Sequence, residues 1–524
     1  MRNIRKTVAL VAAFASMTST VFAEVETVQT QNETENVQTA DTIGEETKTT
    51  EQTEDTQEAE NVINLYVNPR AAGEENTYRS INQAIDAVKG LDRAKNQVIV
   101  TIEGGTYDIT SSIVFDKDSS GSSEYPVIYR AADGGEVILN AGHRVTGEKL
   151  ADNDRIKNKL PQNVRKKVYK IDLSKFKAEQ LGNVAAKGAN MGSRDTSVYG
   201  DIMELVYDGD MMPRASYPNI GSEHIDKVSN STSFSVENKD VPVSTWDLTT
   251  NLGWIQVIES NGYIYDQGKL VKYDSATQLV TADIGGSING GRVRFKNLPE
   301  FIDQPGEYSI DFNNLCIYFY PPDESFRKTA YITSFKEPVV QFKEASNVIL
   351  DGVKIENGGN DGILIDSSKD CTVKNATVKN VSGNGIRVLN SKNIDIDSCD
   401  INNIGLNGIY LAGGGTFKTL TSSGNVVENC DIYTVGRTAP VGNLGILTSA
   451  EVGTKIIGNR IHDTPHDAIR LTTSTECILE NNEIYNAVND TYDAGAIYTG
   501  GSTYVGTANV YKSNYLHNIY LTSD

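Results

Sequence analysis

SNVILDGVKIENGGNDGILIDSSKDCTVKNATVKNVSGNGIRVLNSKNIDIDSCDINNIGLNGIYLA, residues 346–412, repeats itself. Indexed on one apolar residue per segment, the repeat runs through Ile355, Val378, Ile401, Ile432, Ile461, Ile484 and Leu516, with spacings of 23, 23, 31, 29, 23 and 32. A base period near 23, interrupted by loops of six to nine extra residues, predicts a parallel β-helix. Each coil can bury its apolar face only by stacking on the next.

Side chains alternate faces along a strand, so the register can be read residue by residue. Two positions before the index, on the same inward face, stand Val353, Ala376, Cys399, Cys430, Asn459, Asn482 and Asn514. The asparagines are expected to form an internal hydrogen-bonded ladder, since buried amides need partners. Cys399 and Cys430 are expected to stack as buried thiols; five cysteines, an odd number, do not demand a disulfide framework. One position after the index the outward residues change from Glu356, Lys379 and Asn402 to Tyr433, His462, Tyr485 and His517. Such a row of rings suits sugar C–H faces, the alternative being ordinary aromatics on a strand surface. Two positions after it come Asn357, Asn380, Asn403, Thr434, Asp463, Asn486 and Asn518. This is a turn ladder tolerant of left-handed backbone, which makes Asp463 a turn residue rather than a catalyst.

Outward from the repeat, the rest of the chain falls into four parts. Residues 1–23 have a basic head at Arg2, Arg5 and Lys6, an apolar core and a small-residue site ending at Ala23, as in a secretory leader. Residues 24–61 are a Thr- and Glu-rich linker; through Glu60, twelve acids against the single Lys48 give −11, about half of the chain's −21. Too few apolar residues are present there to offset ordering entropy, so a disordered spacer is expected. Residues 62–143 hold a capping helix, with Ser80 and Gln83 as its capping box and Ile81, Ala84, Ile85 and Val88 on one face, followed by the first coils. A helix over the first coil would cover an otherwise open edge. Residues 144–345 lose the rhythm, hold both tryptophans, and are expected to be an inserted antiparallel β region; residues 346–524 are the repeats. Export, to the medium or the cell surface, follows from the leader. No other apolar run reaches the roughly 20 residues of a membrane span, so no membrane insertion is expected. The acidity and the lack of clustered Lys and Arg exclude a nucleic acid partner.

The chemistry concentrates in HDTPHDAIRL (462–471) and NDTYDAGAIYTGG (489–501). A second strand set, led by Gly362, Gly385, Gly408, Gly445 and Ala468, is preceded by Asp361, Asn384, Asn407, Leu444 and Asp467. The next coil brings Asp493 within a position or two of Asp467's place. Coils stack about 4.8 Å apart, so two carboxylates on neighbouring coils can face one groove at roughly 5–9 Å, the interval that serves glycoside hydrolysis. One must be protonated while the other stays ionised. Asp467 and Asp493 are therefore the candidate acid/base pair, with His466, Arg470 and Tyr498 beside them to hold hydroxyls or a substrate carboxylate. No zinc spacing and no phosphate loop is present. No cofactor or metal is expected; calcium stays open as an alternative, though no motif indicates it.

The segments YVNPRAAGEENTYRSINQAIDAVKG, VTIEGGTYDI, YPVIYRAADGGEVILNAG, VYDGDMMPRASYPN, GEYSIDFNNLCIYFYPPD, IHDTPHDAIRL and DAGAIYTG resemble the right-handed parallel β-helix proteins of glycoside hydrolase family 141 and its relatives. The resemblance spans Tyr66 to the end and implies a β-helix with a β-rich insert acting on plant cell-wall polysaccharides; separately, the chain is expected to be a monomer. It also implies catalysts near the DAGAIYTG segment, which points to Asp493 and Asp467. Similar proteins continue for several more coils, so the sequence is expected to be truncated at its C-terminal end. Two alternatives stay open. A lyase or epimerase on this scaffold would need a basic residue beside a uronate carboxylate, for which Arg387, Arg437, Arg470 and Lys455 are available. A non-catalytic glycan-binding surface module is the other.

Overall fold

Alternating strands separated by left-handed turns close the chain into coils. A computed structural model describes residues 62–182, 187–190, 203–500 and 508–522; the expected leader and spacer lie outside the described residues. The coils stack into three parallel sheets of eleven, nine and eight strands. The index residues Ile355, Val378, Ile401, Ile432, Ile461 and Ile484 are each 0 % exposed and pair in register down the nine-stranded sheet. Leu516, on the last described strand, is 44 % exposed, since no described strand covers it.

Corners between strands are made by residues that accept positive φ. Asn357, Asn380, Asn403, Thr434, Asp463, Asn486 and Asn518 all sit between +47° and +63°. Short polar side chains tolerate that region best. Asp463 is therefore a corner residue, as its place in the repeat predicts.

The inward ladder is also as expected. Cys399 and Cys430 are buried free thiols on neighbouring coils, donating to the Asp397 (3.3 Å) and Glu428 (3.2 Å) carbonyls respectively. Asn459 donates from Nδ2 to Asn482 Oδ1 (3.0 Å) and to the Val427 carbonyl (3.0 Å). Asn482 repeats this toward Asn514 Oδ1 (2.8 Å) and the Ile456 carbonyl (2.9 Å). The N-terminal helix spans Ile81–Lys89, with Ser80 Oγ accepting from the Gln83 amide (3.3 Å) and Gly90 at its end. Gln83 reaches back to the Arg79 amide (3.0 Å), one residue beyond the expected partner. Its buried face, Ile81, Ala84, Ile85 and Val88, joins the solenoid core and covers the first coil.

The insert leaves and rejoins the solenoid through an antiparallel pair, His143–Val145 against Ala330–Ile332. It ends earlier than position 345. Val340–Lys343 pairs in parallel with both Ile113–Asp116 and Ile363–Asp366, so that strand is already part of a coil. Within the insert, Ile264–Asp274, Trp254–Ile258, Arg292–Lys296, Glu223–Asn230, Ser233–Val236 and Leu279–Ile284 pair antiparallel in that order. The last of these pairs back onto the first, closing a barrel around Phe234, Ile255, Val257, Leu270, Val280 and Phe295.

The barrel docks on the corners of three coils. Tyr265 lies in an apolar cluster with Leu406, Ala439 and Val441. Arg292 donates to the Asp490 carbonyl (2.6 Å), and the Tyr492 amide to the Gly262 carbonyl (3.1 Å). Gly262 is obligatory twice over: its φ is +72°, and a Cβ there would fall 1.9 Å from the Tyr492 ring.

Candidate functional site

The corner that leads into Ile469–Thr472 carries the residues of the HDTPHDAIRL motif, and the strand Ile497–Gly500 lies beside it. Ile469 pairs with Ile497 and Arg470 with Tyr498. Asp467's place on the next coil is thus Gly495, and Asp493 stands two residues before it. On the preceding coils the same ladder is a hydrogen-bonded row. Asn384 donates to Asp361 Oδ1 (2.8 Å), Asn407 to Asn384 (2.9 Å), and the Leu444 amide to Asn407 (3.0 Å). Asp361 also pairs with Arg387 (2.7 Å).

Asp467 is fully buried. Arg470 Nε lies 2.5 Å from its Oδ2, and the Gly495 amide donates to Oδ1 at 2.8 Å. Burial pushes its pKa up to about 6 against the pull of Arg470 and of the Gly495 N–H, with the nearby Asp493 charge adding to the rise. Asp493 is exposed, in left-handed backbone with φ of 51°.

Arg470 is fixed from three sides. Its Nη2 donates to His466 Nε2 at 2.8 Å, its Nε faces Asp467, and its guanidinium carbon sits 4.6 Å from the centre of the Tyr498 ring. An arginine cannot accept, so His466 Nε2 is the acceptor and Nδ1 carries the proton. Nδ1 then donates to Thr491 Oγ1 (2.6 Å), whose own hydroxyl donates to the Pro465 carbonyl (3.0 Å). Burial and the Arg470 charge push His466 down to about 3, so the imidazole is neutral. His466 is 0 % exposed; contrary to its expected place among the substrate-binding residues, it stands behind Arg470 and orients it. Thr491 and the Gly495 amide were not legible as partners, because both lie on a corner whose length departs from the base period.

The ring stripe lies on the nine-stranded sheet, separate from this cluster. Tyr433, His462, Tyr485 and His517 stack with centroids 4.8, 4.5 and 5.1 Å apart and planes within 10° of parallel. His462 is also held by Asp463 (2.6 Å) and Asp431 (3.3 Å). The ring faces between neighbours are occupied by one another, which leaves edges rather than inner faces to meet a sugar. The structure does not bring the stripe and the Asp467 cluster together on one sheet. Among the described residues, no group of three or more His, Cys, Asp or Glu is arranged to hold a metal ion. No described helix is long and apolar enough to cross a membrane.

A family model described as "Right handed beta helix region" matches residues 316–422 and 338–510. No curated protein sequence matches the chain. A solved structure titled "Glycoside hydrolase" is similar at a TM-score of 0.63 and 12 % identity, over 88 % of this chain and 96 % of that one. A structure of XylC with xylose is similar at 0.45 and 12 %, over 87 % and 68 %, and pectate lyase Pel9A at 0.35 and 10 %, over 86 % and 79 %. At these identities the likeness is one of fold. The chain is a right-handed parallel β-helix with an antiparallel barrel inserted.

Proposed function

We propose that the protein is an exported glycoside hydrolase that cleaves plant cell-wall or related polysaccharides, with Asp467 and Asp493 as its carboxylate pair. The observation that carries this reading is a buried carboxyl raised to about 6, one coil away from an exposed carboxylate. Asp467 would hold the proton that a leaving glycosidic oxygen takes, and Asp493 would remain ionised as base or nucleophile. Arg470 and Tyr498 would bind the sugar, and His466 would keep Arg470 in place. For Asp467 to reach a substrate, the corner that holds Gly495 must shift, because the carboxyl has no exposed surface as it stands.

The test is an assay on a panel of plant polysaccharides and aryl glycosides, reading both reducing ends and unsaturated products. New reducing ends are expected, reduced by about 10²–10⁴-fold in Asp467→Asn and in Asp493→Asn. Unsaturated ends would move the protein to the lyases. Retained glycan binding without turnover, unchanged in both variants, would make it a surface module.

A further inference from the structure

Between the inserted barrel and the solenoid corners lies a cavity of about 350 Å³, lined from both sides. The barrel supplies Trp254, Arg294 and Lys296, and the solenoid supplies Arg437 and Thr438. Its charge is opposite to that of the molecule. In a chain of net charge −21, the cavity wall holds Arg214, Arg294, Lys296 and Arg437 against Glu204 alone, a balance of +3.

Part of that charge is already committed. Arg437 grips Glu204 through Nε (3.0 Å) and Nη2 (2.6 Å). Arg214 donates to the Met203 carbonyl (2.9 Å), with its guanidinium carbon 4.3 and 5.0 Å from the ring centres of Tyr308 and Trp254. Arg294 is tied to the Gly221 carbonyl. Two donors are left over. Arg437 Nη1 is buried with no hydrogen-bond partner, and Lys296, half-buried on the cavity wall, has neither a hydrogen bond nor an ion pair at Nζ among the described residues. A charged group with an unmade hydrogen bond, shut away from bulk water, is costly, and natural interiors rarely leave one so. An anion in the cavity would satisfy both.

The rest of the lining describes what carries the anion. A sulfate or phosphate would occupy little of 350 Å³, which falls at the lower end of the roughly 300–1,000 Å³ of small-molecule pockets. Gln256, Gln267, Asn219, Asn403 and Thr438 offer neutral donors and acceptors suited to hydroxyls, beside the ring of Trp254. We propose that this cavity binds a carboxylate-bearing sugar, a uronate unit of an acidic polysaccharide, with its carboxylate on Lys296 and Arg437 and its hydroxyls on the amide side chains. The choice of a sugar rests on the reading of the protein as carbohydrate-active; the choice of an anion does not. Charge in the wall agrees: burial, with Arg294 and Arg214 nearby, pushes the Lys296 ammonium down to about 7, opposed by Glu204 and Asp490. A bound carboxylate would oppose it further and hold the lysine charged.

Titration calorimetry of the full chain with trigalacturonate, with neutral xylotriose and with sodium sulfate tests this. Trigalacturonate is expected to bind and the neutral trimer not to compete. Lys296→Met is expected to weaken uronate binding by about ten- to a hundred-fold without lowering the melting temperature, since the lysine has no partner to lose. Equal binding of the neutral and acidic trimers, or unchanged uronate affinity in Lys296→Met, would overturn the site. Displacement of trigalacturonate by equimolar sulfate would reduce it to a simple anion hole and overturn the sugar assignment. Failure of hydrolysis on every substrate would leave these heats unaffected, so the two proposals fail separately.

Discussion

Asp467 and His466 are adjacent, both buried, and shifted in opposite senses from their ordinary values. Each is held in its uncharged form more strongly than in water, because burial disfavours charge. As a proton donor, Asp467 is active only while protonated. The value of kcat/KM for glycoside cleavage is therefore expected to fall as pH rises through about 6, and a pH–rate profile flat across this region would remove Asp467 from the acid role. The stability signs also differ. Asp467 binds its proton more tightly folded than unfolded, so its contribution declines as pH rises from about 4 to about 6. His466 binds its proton less tightly folded, so its contribution is lost as pH falls from about 6.5 toward about 3. Thr491 fixes which nitrogen of His466 faces Arg470. Thr491→Val should remove that choice, raising KM several-fold for about 1 kcal/mol of stability. Thr491→Ser, which keeps the hydroxyl, should restore KM, and steady-state kinetics beside thermal melts separate the two effects.

At the scale of elements, the asparagine row is a continuous device rather than a set of isolated bonds. Asn482 accepts from both the amide and the Nδ2 of Asn459 and donates to Asn514 and to the Ile456 carbonyl. Asn482→Ala removes four hydrogen bonds inside the coil and leaves the buried Asn459 amide without its acceptor, and a loss of about 2–3 kcal/mol is expected, read as a shift in denaturant midpoint. Cys430→Ala, which removes only a thiol, should cost about 1 kcal/mol. Both faces of this ladder were legible in the sequence because strand alternation ties each residue to a side once the period is known. The corners at Asn357, Asn380 and Asn403 were legible for a similar reason, since few residues tolerate their φ. The register of Asp493 was not. From Asp467 to Gly495 the coil runs 28 residues, five more than the base period. Periodicity does not say where extra residues go, and here part of that corner is held by Arg292 and Gly262 of the insert. The ring stripe was legible as a row but not as a stack: sequence spacing gives the order of Tyr433, His462, Tyr485 and His517, and only coordinates give the tilt that closes face on face.

For the molecule as a whole, the relation between barrel and solenoid could not be read from either part alone. Glu204 and Arg437 are 233 residues apart, in segments with no shared period, yet they form one of the polar ties between the insert and the solenoid. Burial would raise the Glu204 carboxyl, but Arg437, Ser382 and Arg214 together hold it below its usual value, so the pair is ionised. Ser382 adds a hydrogen bond to the same carboxylate at 2.9 Å and another to Thr333 at 3.0 Å. Arg437→Met leaves a buried carboxylate without its main counter-charge, and a loss of about 3–5 kcal/mol is expected. Glu204→Gln in the same chain removes the uncompensated charge and should recover a large part of that loss, because replacing both partners of a buried pair is often close to neutral. If the tie couples the two parts, amides of the insert strand Leu205–Tyr207, which follows Glu204, should also lose protection from hydrogen exchange in the single variant while the asparagine row keeps its own. Equal loss of protection in both would show that insert and solenoid unfold as one unit, with the ion pair serving only local solvation. Additive effects in the double-mutant cycle would show that Glu204 and Arg437 act independently.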